Sequence, residues 1–196
     1  MPGLAASSSI FERIQLSEEQ FEIHLLDWQI PLGKETLKGY AQRMALKVTH
    51  KNAVLIGVSF GGVLAQEMAE FLNLRKVIII SSIKSNLEMP IAMKLARTTN
   101  AYKLFPTRIA NNLELLSKIS FGTIIKHRIK LYQKYLSVRE KSYLDWAIEN
   151  MVQWNRFKTD KNVIHIHGDA DAIFPIKNIN NCIVVKGGTH IMILSK

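Results

Sequence analysis

Short runs of apolar, largely β-branched residues recur at 53–58, 77–80, 163–166 and 182–185, and stretches with helical spacing separate the first of them. Runs of this length, bounded by Gly, Asn and Asp, read as strands, and strands that alternate with helices predict a parallel sheet covered on its faces. A further run at 21–26 reads as another strand, ending at Asp27 and Trp28. Residues 35–48 predict a helix whose apolar side is Leu37, Tyr40, Met44 and Leu46; 62–71 predict a second helix and 10–14 the start of a short one. From Ser82 to about Lys158 the strand pattern stops and Leu, Lys, Arg, Ile and Asn dominate, which predicts a helical insertion before the last two strands.

Between the run at 53–56 and the helical pattern from Gly62 stands Gly57-Val58-Ser59-Phe60-Gly61. A serine raised on so sharp a strand-to-helix turn needs glycines at both flanks, where a Cβ would meet neighbouring backbone. The setting marks Ser59 as a candidate nucleophile, and the N–H of Phe60, free at a helix N-terminus, as a donor to developing negative charge. Downstream come His165-Ile166-His167-Gly168-Asp169-Ala170-Asp171 and, after Cys182-Ile183-Val184-Val185, Gly187-Gly188-Thr189-His190. A serine, an acid and a histidine, in that chain order and each after a strand, is the arrangement of an α/β-hydrolase. The sequence resembles that family over nearly its whole length.

Of the six histidines, His190 alone follows the acid loop, after two glycines that let the chain turn back, and it is the expected general base. His165 and His167 alternate on the strand leading into that loop and read as hydrogen-bonded structural residues; as a metal pair they lack a third ligand. His24, His50 and His127 carry no signal. The resemblance puts the acid four residues before Pro175, at Asp171, and leaves Asp169 as a turn-forming carboxylate. It also makes Pro2-Gly3-Leu4 the oxyanion loop, with the Leu4 N–H as second donor beside Phe60. No metal or organic cofactor is expected.

The 196-residue chain is 47% apolar and 21% charged, enough for one substantial core. The expected organisation is a hydrolase core at 1–83 and 159–196 with a helical cap at 84–158, a mostly parallel sheet trimmed at both ends. Without a bilayer-spanning run or a signal segment, the expected location is cytoplasmic. The single cysteine, Cys182, reads as a buried small apolar residue. Residues 84–158 hold 14 Lys and Arg against 5 Asp and Glu, nearly all of the formal +10. That surplus suits an anionic substrate such as an acyl-CoA-like thioester, or peripheral contact with an anionic membrane; a solvated basic face is the plainer reading. No recognition motif for nucleic acid accompanies it. The cap's Met and aromatic residues, Met89, Met93, Tyr102, Phe105, Phe121, Trp146 and Trp154, read as cap core more than pocket wall.

The resemblance implies a serine hydrolase acting on a small-molecule carboxylic ester or thioester, with Ser59, Asp171 and His190 as its triad. The alternative is an impaired or non-catalytic member that binds a ligand or partner. Two departures bear on this. The chain opens on the oxyanion loop without the strand that precedes it in the family, which would lie between 21–26 and 53–58; the expectation is a shortened version of a longer parent. Residues 175–181 leave little room for the helix that joins the family's last two strands.

Overall fold

The computed structural model describes residues 1–105, 107 and 134–195. Four strands form one parallel sheet in the order β1 (Val54–Val58), β2 (Lys76–Ile80), β3 (Val163–Gly168) and β4 (Ile183–Val185). All four expected runs at 53–58, 77–80, 163–166 and 182–185 are therefore strands. Their apolar residues project alternately to the two faces. Leu55, Val77 and Ile79 enter the larger core cluster, whereas Val58 and Ile80 enter a smaller one with Ala6, Ile10, Tyr135 and Met192.

The larger cluster is built by helices. Helix α1 (Leu37–Ala45) begins at Thr36, whose hydroxyl accepts from the Gly39 N–H at 3.1 Å, and buries Leu37, Tyr40, Ala41, Met44 and Ala45. The expected helical residue Leu46 stays exposed, just past the helix end. Helix α2 (Phe60–Met68) follows β1 directly and is buried almost all round, because it lies between the sheet and α1 and also touches the later helix α4 (Lys141–Gln153). Within 84–158, α3 (Ile91–Thr99) and α4 are helical as expected. Met89 and Trp154 are core residues, Phe105 is exposed, and Phe121 lies outside the described residues. Among the described residues no helix is long and apolar enough to cross a membrane.

Three expectations need correction. Residues 21–26 do not form a strand: they belong to no sheet, and Phe21, Ile23 and Leu25 are exposed. An apolar run becomes a strand only where a neighbour takes up its ladder bonds, and here exposed backbone groups can turn to water instead. The short helix near 10–14 is a single 3₁₀ turn at Ser8–Phe11. Cys182 is half-buried rather than enclosed, although burial still raises its thiol pKa. The connection from β3 to β4 contains one 3₁₀ turn, Ile176–Asn178, where the family has a helix.

The outer side of β1 meets the start of the chain. The Met1 amine donates to the Ile56 carbonyl at 2.6 Å, and the Met1 carbonyl accepts from the Val58 N–H at 3.0 Å, a parallel-ladder pattern made by one residue. Burial lowers the pKa of this amine to about 5, opposed by the charge of Asp27.

The same opening residues press on α2. A Cβ on Gly61 would lie 2.2 Å from the Pro2 carbonyl oxygen and 2.5 Å from that of Met1. In an open helix Gly61→Ala would stabilise by about 1 kcal/mol. Here the backbone would have to shift, and overpacking costs about 1–3 kcal/mol. We predict that Gly61→Ala lowers stability in urea unfolding; a midpoint equal to or above wild type would show that the opening segment is not packed against α2.

Candidate active site

The strand-to-helix turn after β1 holds Ser59 at φ 52°, ψ −122°, a region that residues with a side chain rarely occupy. Its N–H donates to the Ile80 carbonyl at 2.9 Å, and its carbonyl accepts from the Ser82 hydroxyl at 2.7 Å and the Gly62 N–H at 2.9 Å. The glycines of the turn are forced by contact: a Cβ on Gly57 would sit 2.2 Å from the Gly61 carbonyl oxygen. Ser82 is a residue that sequence reasoning missed, since nothing but its place after β2 distinguishes it.

The structure brings Ser59, His190 and Asp171 together from three segments. Ser59 Oγ lies 2.9 Å from His190 Nε2, and His190 Nδ1 lies 2.9 Å from Asp171 Oδ2 and 3.1 Å from Oδ1. Asp171 Oδ1 also accepts from the N–H groups of Ile173 and Phe174, at 2.8 and 2.9 Å. Burial works against the charge of this carboxyl, but His190 and the two N–H groups outweigh it and hold the pKa below the ordinary value. The Phe174 ring stands edge-on to His190, with centroids 5.4 Å apart.

Asp169 does a different task. Its Oδ1 accepts from the Gly187 N–H at 2.6 Å, which pins the loop that carries His190. The two loops touch so closely that a Cβ on Gly168 would lie 2.1 Å from the Gly188 carbonyl oxygen. The pair of glycines before His190 thus permits loop contact as well as the turn.

His165 and His167 are buried behind the acid loop and bonded to each other, Nε2 to Nδ1 at 3.0 Å, while His167 Nε2 lies 2.8 Å from the Phe174 carbonyl. That carbonyl can only accept, so His167 donates from Nε2; a singly protonated ring in that tautomer receives the His165 Nε2–H at Nδ1. The second ring nitrogen of His167 is therefore committed to the acid loop, as a structural role requires. His167 Nε2 also stands 3.6 Å from Asp171 Oδ2.

Leu4 and Phe60 flank the serine. The Gly3 carbonyl accepts from the Trp28 indole N–H at 2.9 Å and the Ala6 N–H at 3.1 Å, and Trp28 in turn stacks on Phe60, ring centroids 5.2 Å apart. In the trans Gly3–Leu4 peptide the Leu4 N–H points opposite to that anchored carbonyl. The Phe60 N–H is in the first turn of α2, where backbone donors lack helical partners. Trp28 was expected only as the end of a strand; its anchoring of Gly3 could not be read from the sequence.

Ser59, His190, Gly3, Leu4 and Phe60 open into a cavity of about 300 Å³. Its walls are otherwise almost wholly apolar, with Ala6, Ile10, Ile173 and Ile193 from the core and Met93, Leu136 and Met151 from 84–158. Tyr135 also borders it, but its hydroxyl is bonded to Glu12. No Lys or Arg lines this cavity among the described residues. Met93, expected as cap core, packs against the larger core cluster and also lines the cavity.

No protein-family model matches the chain, and no curated protein matches it. Solved structures do. A lipase-esterase related protein from Clostridium acetobutylicum shares 19% identity, with 100% of this chain and 87% of that one covered at a TM-score of 0.66. A thermophilic esterase from Thermogutta terrifontis shares 18%, covering 97% and 80% at 0.64, and MenH from S. aureus shares 16%, covering 100% and 86% at 0.61. These are α/β-hydrolase structures, and at such identities the likeness establishes architecture. The chain has the α/β-hydrolase fold, in a trimmed form with a four-stranded sheet among the described residues.

One pH effect follows from the buried histidine pair. Burial first, then the neighbouring His167 and Lys84, lower the His165 pKa from 6.5 to about 3. Between those values the unfolded chain binds the extra proton, so stability is full above pH 6.5 and falls by about 1.4 kcal/mol per pH unit as the pH drops. We predict that wild type loses roughly 2 kcal/mol from this group between pH 6.5 and 5, and that His165→Gln, which keeps a neutral donor toward His167, flattens that slope. Equal slopes in denaturant titrations would contradict the assignment.

Proposed function

We propose that the protein is a serine hydrolase that cleaves a neutral, apolar carboxylic ester through an acyl-enzyme. The observation that carries this reading is the unbroken hydrogen-bond chain Ser59 Oγ, His190 and Asp171, opening into an apolar cavity. The Ser59 hydroxyl attacks the ester carbonyl while His190 Nε2 takes its proton. Asp171 holds the imidazole in the tautomer that presents a bare Nε2 to the serine and stabilises the imidazolium once formed. The Leu4 and Phe60 N–H groups receive the oxyanion. Collapse returns the proton to the departing alcohol and leaves the acyl group on Ser59; water, activated by the same histidine, then releases the acid and restores the enzyme.

Substrate charge is argued from the cavity wall. The described lining offers no cation to an anionic group, whereas its Leu, Ile and Met side chains suit an acyl chain. The neutral ester is thus favoured over the anionic thioester that the basic insertion suggested. A cavity of this size suits acyl chains of roughly four to eight carbons.

A fluorophosphonate should label Ser59, and a folded sample that resists labelling would count heavily against the reading. On p-nitrophenyl esters, Ser59→Ala should lower kcat by at least about a thousandfold. Product formation unchanged by that substitution, together with saturable ligand binding, would favour the binding-only alternative. Asp171→Asn should remove most turnover, whereas Asp169→Asn keeps a carbonyl oxygen for Gly187 and should retain much of it; equal losses would mean that the acid is misassigned. Medium-chain neutral esters should give higher kcat/KM than acyl-CoA thioesters, and the opposite order would sink the charge argument.

A further inference from the structure

Away from the cavity, Glu22, His24 and His50 come together from two segments that the sequence keeps 26 residues apart. Glu22 and His24 lie two apart in the unpaired stretch after the opening turns, a spacing that in extended chain sends both side chains to one side. His50 sits in the loop between α1 and β1. His24 Nε2 is 3.0 Å from Glu22 Oε1, and the His24 and His50 rings face each other with centroids 4.1 Å apart and planes tilted by 33°. One ligand atom from each residue lies within 4.8 Å of the other two, and all three residues are exposed.

We propose that these three side chains form a binding site for a divalent transition-metal ion of the Zn²⁺ class. Two imidazole nitrogens and one carboxylate oxygen are the donor set that such ions prefer, and Mg²⁺ or Ca²⁺ would favour oxygen alone. With metal–ligand distances of about 2.0–2.1 Å, donors on a tetrahedron lie roughly 3.3 Å apart. The Glu22–His24 pair already has nearly that separation, and exposed side chains can close the rest by rotation. Without an ion, the cluster reduces to a solvent-exposed pair worth little to stability and two neighbouring tilted rings.

The ion has a structural consequence here. Residues 21–26 have no strand partner, and His50 precedes the strand that leads to Ser59. A metal bridging His24 and His50 clips the unpaired stretch to the loop entering β1, at the edge of the sheet where Met1 supplies one residue of pairing. The fourth position stays open to water, as in a three-ligand site. This inference is independent of the proposed hydrolase activity, and the cluster is no part of that machinery.

The test is titration of tag-free, EDTA-treated protein with ZnCl₂ by calorimetry, paired with thermal melts. One ion per chain should bind with a micromolar dissociation constant. At a hundredfold excess over that constant, Tm should rise by about 5 °C. His24→Ala and His50→Ala should each weaken binding at least about tenfold and abolish the rise, and Glu22→Gln should weaken it less. Both histidine substitutions fall at exposed positions, so ester turnover and the metal-free melt should match wild type. Binding no tighter than millimolar, binding unchanged in both histidine variants, or equal binding of MgCl₂ would overturn the proposal.

Discussion

The backbone of Ser59 is the constraint on which the rest of the molecule depends. A serine at φ 52° and ψ −122° costs on the order of 1–3 kcal/mol and persists only where its surroundings over-determine it. They do so from three directions. The β1–β2 register sets Val58 beside Ile80, so that the next N–H, that of Ser59, reaches the Ile80 carbonyl; Ser82, two residues further along, closes on the Ser59 carbonyl. From the far side, the carbonyls of Met1 and Pro2 lie against Gly61, so the opening residues and the serine turn are packed as one object.

Asp171 and His190 are positioned by the same kind of crowding. β3 and β4 run parallel and end together, and Gly168 and Gly188 let the loops that follow them touch. Within that contact the two aspartates divide the work: Asp169 fixes the loop of His190 through the Gly187 N–H, and Asp171 addresses the ring itself. The His165–His167 pair extends the arrangement into the core, because His167 holds the carbonyl of Phe174, whose own N–H donates to Asp171. His167 thus reaches the carboxylate both through this carbonyl and directly, its Nε2 standing 3.6 Å from Asp171 Oδ2.

What was legible in the sequence was whatever depended on local pattern. The four strands announce themselves because each is an apolar run bounded by turn residues, and Ser59, Asp171 and His190 because each follows such a run at a glycine-rich exit. The stretch 21–26 alternates apolar residues with Glu22 and His24 and has no strand neighbour, and a ladder is a property of two segments. Trp28 donating to Gly3, Ser82 closing on Ser59, and His24 meeting His50 are likewise tertiary facts: each joins residues at least 23 positions apart whose separate sequence contexts carry no mark of the partner. Cys182 failed differently, because it leads into the strand at an end of the sheet, where an apolar run is covered on fewer sides.

The positive charge of residues 84–158 gains a different meaning once its partners are known. Several of those cations are struts rather than lures. Arg156 reaches Glu67 in the last turn of α2 and Glu70 just past it, Lys134 reaches Glu12, and Lys84 is buried with its ammonium on the carbonyls of Asn180 and Asn181. Arg97 donates to the Trp154 carbonyl, fastening α3 to the chain beyond α4. Each of these contacts ties residues 84–158 to the rest of the chain, or one part of that segment to another, and none of these side chains lines the cavity. Long cationic side chains suit this work, since an apolar stem can lie on the core while the head bonds carbonyls and carboxylates at the boundary. The basic surplus thus serves in part to fasten residues 84–158 to the rest of the chain, which is compatible with a cavity wall that carries no cation among the described residues.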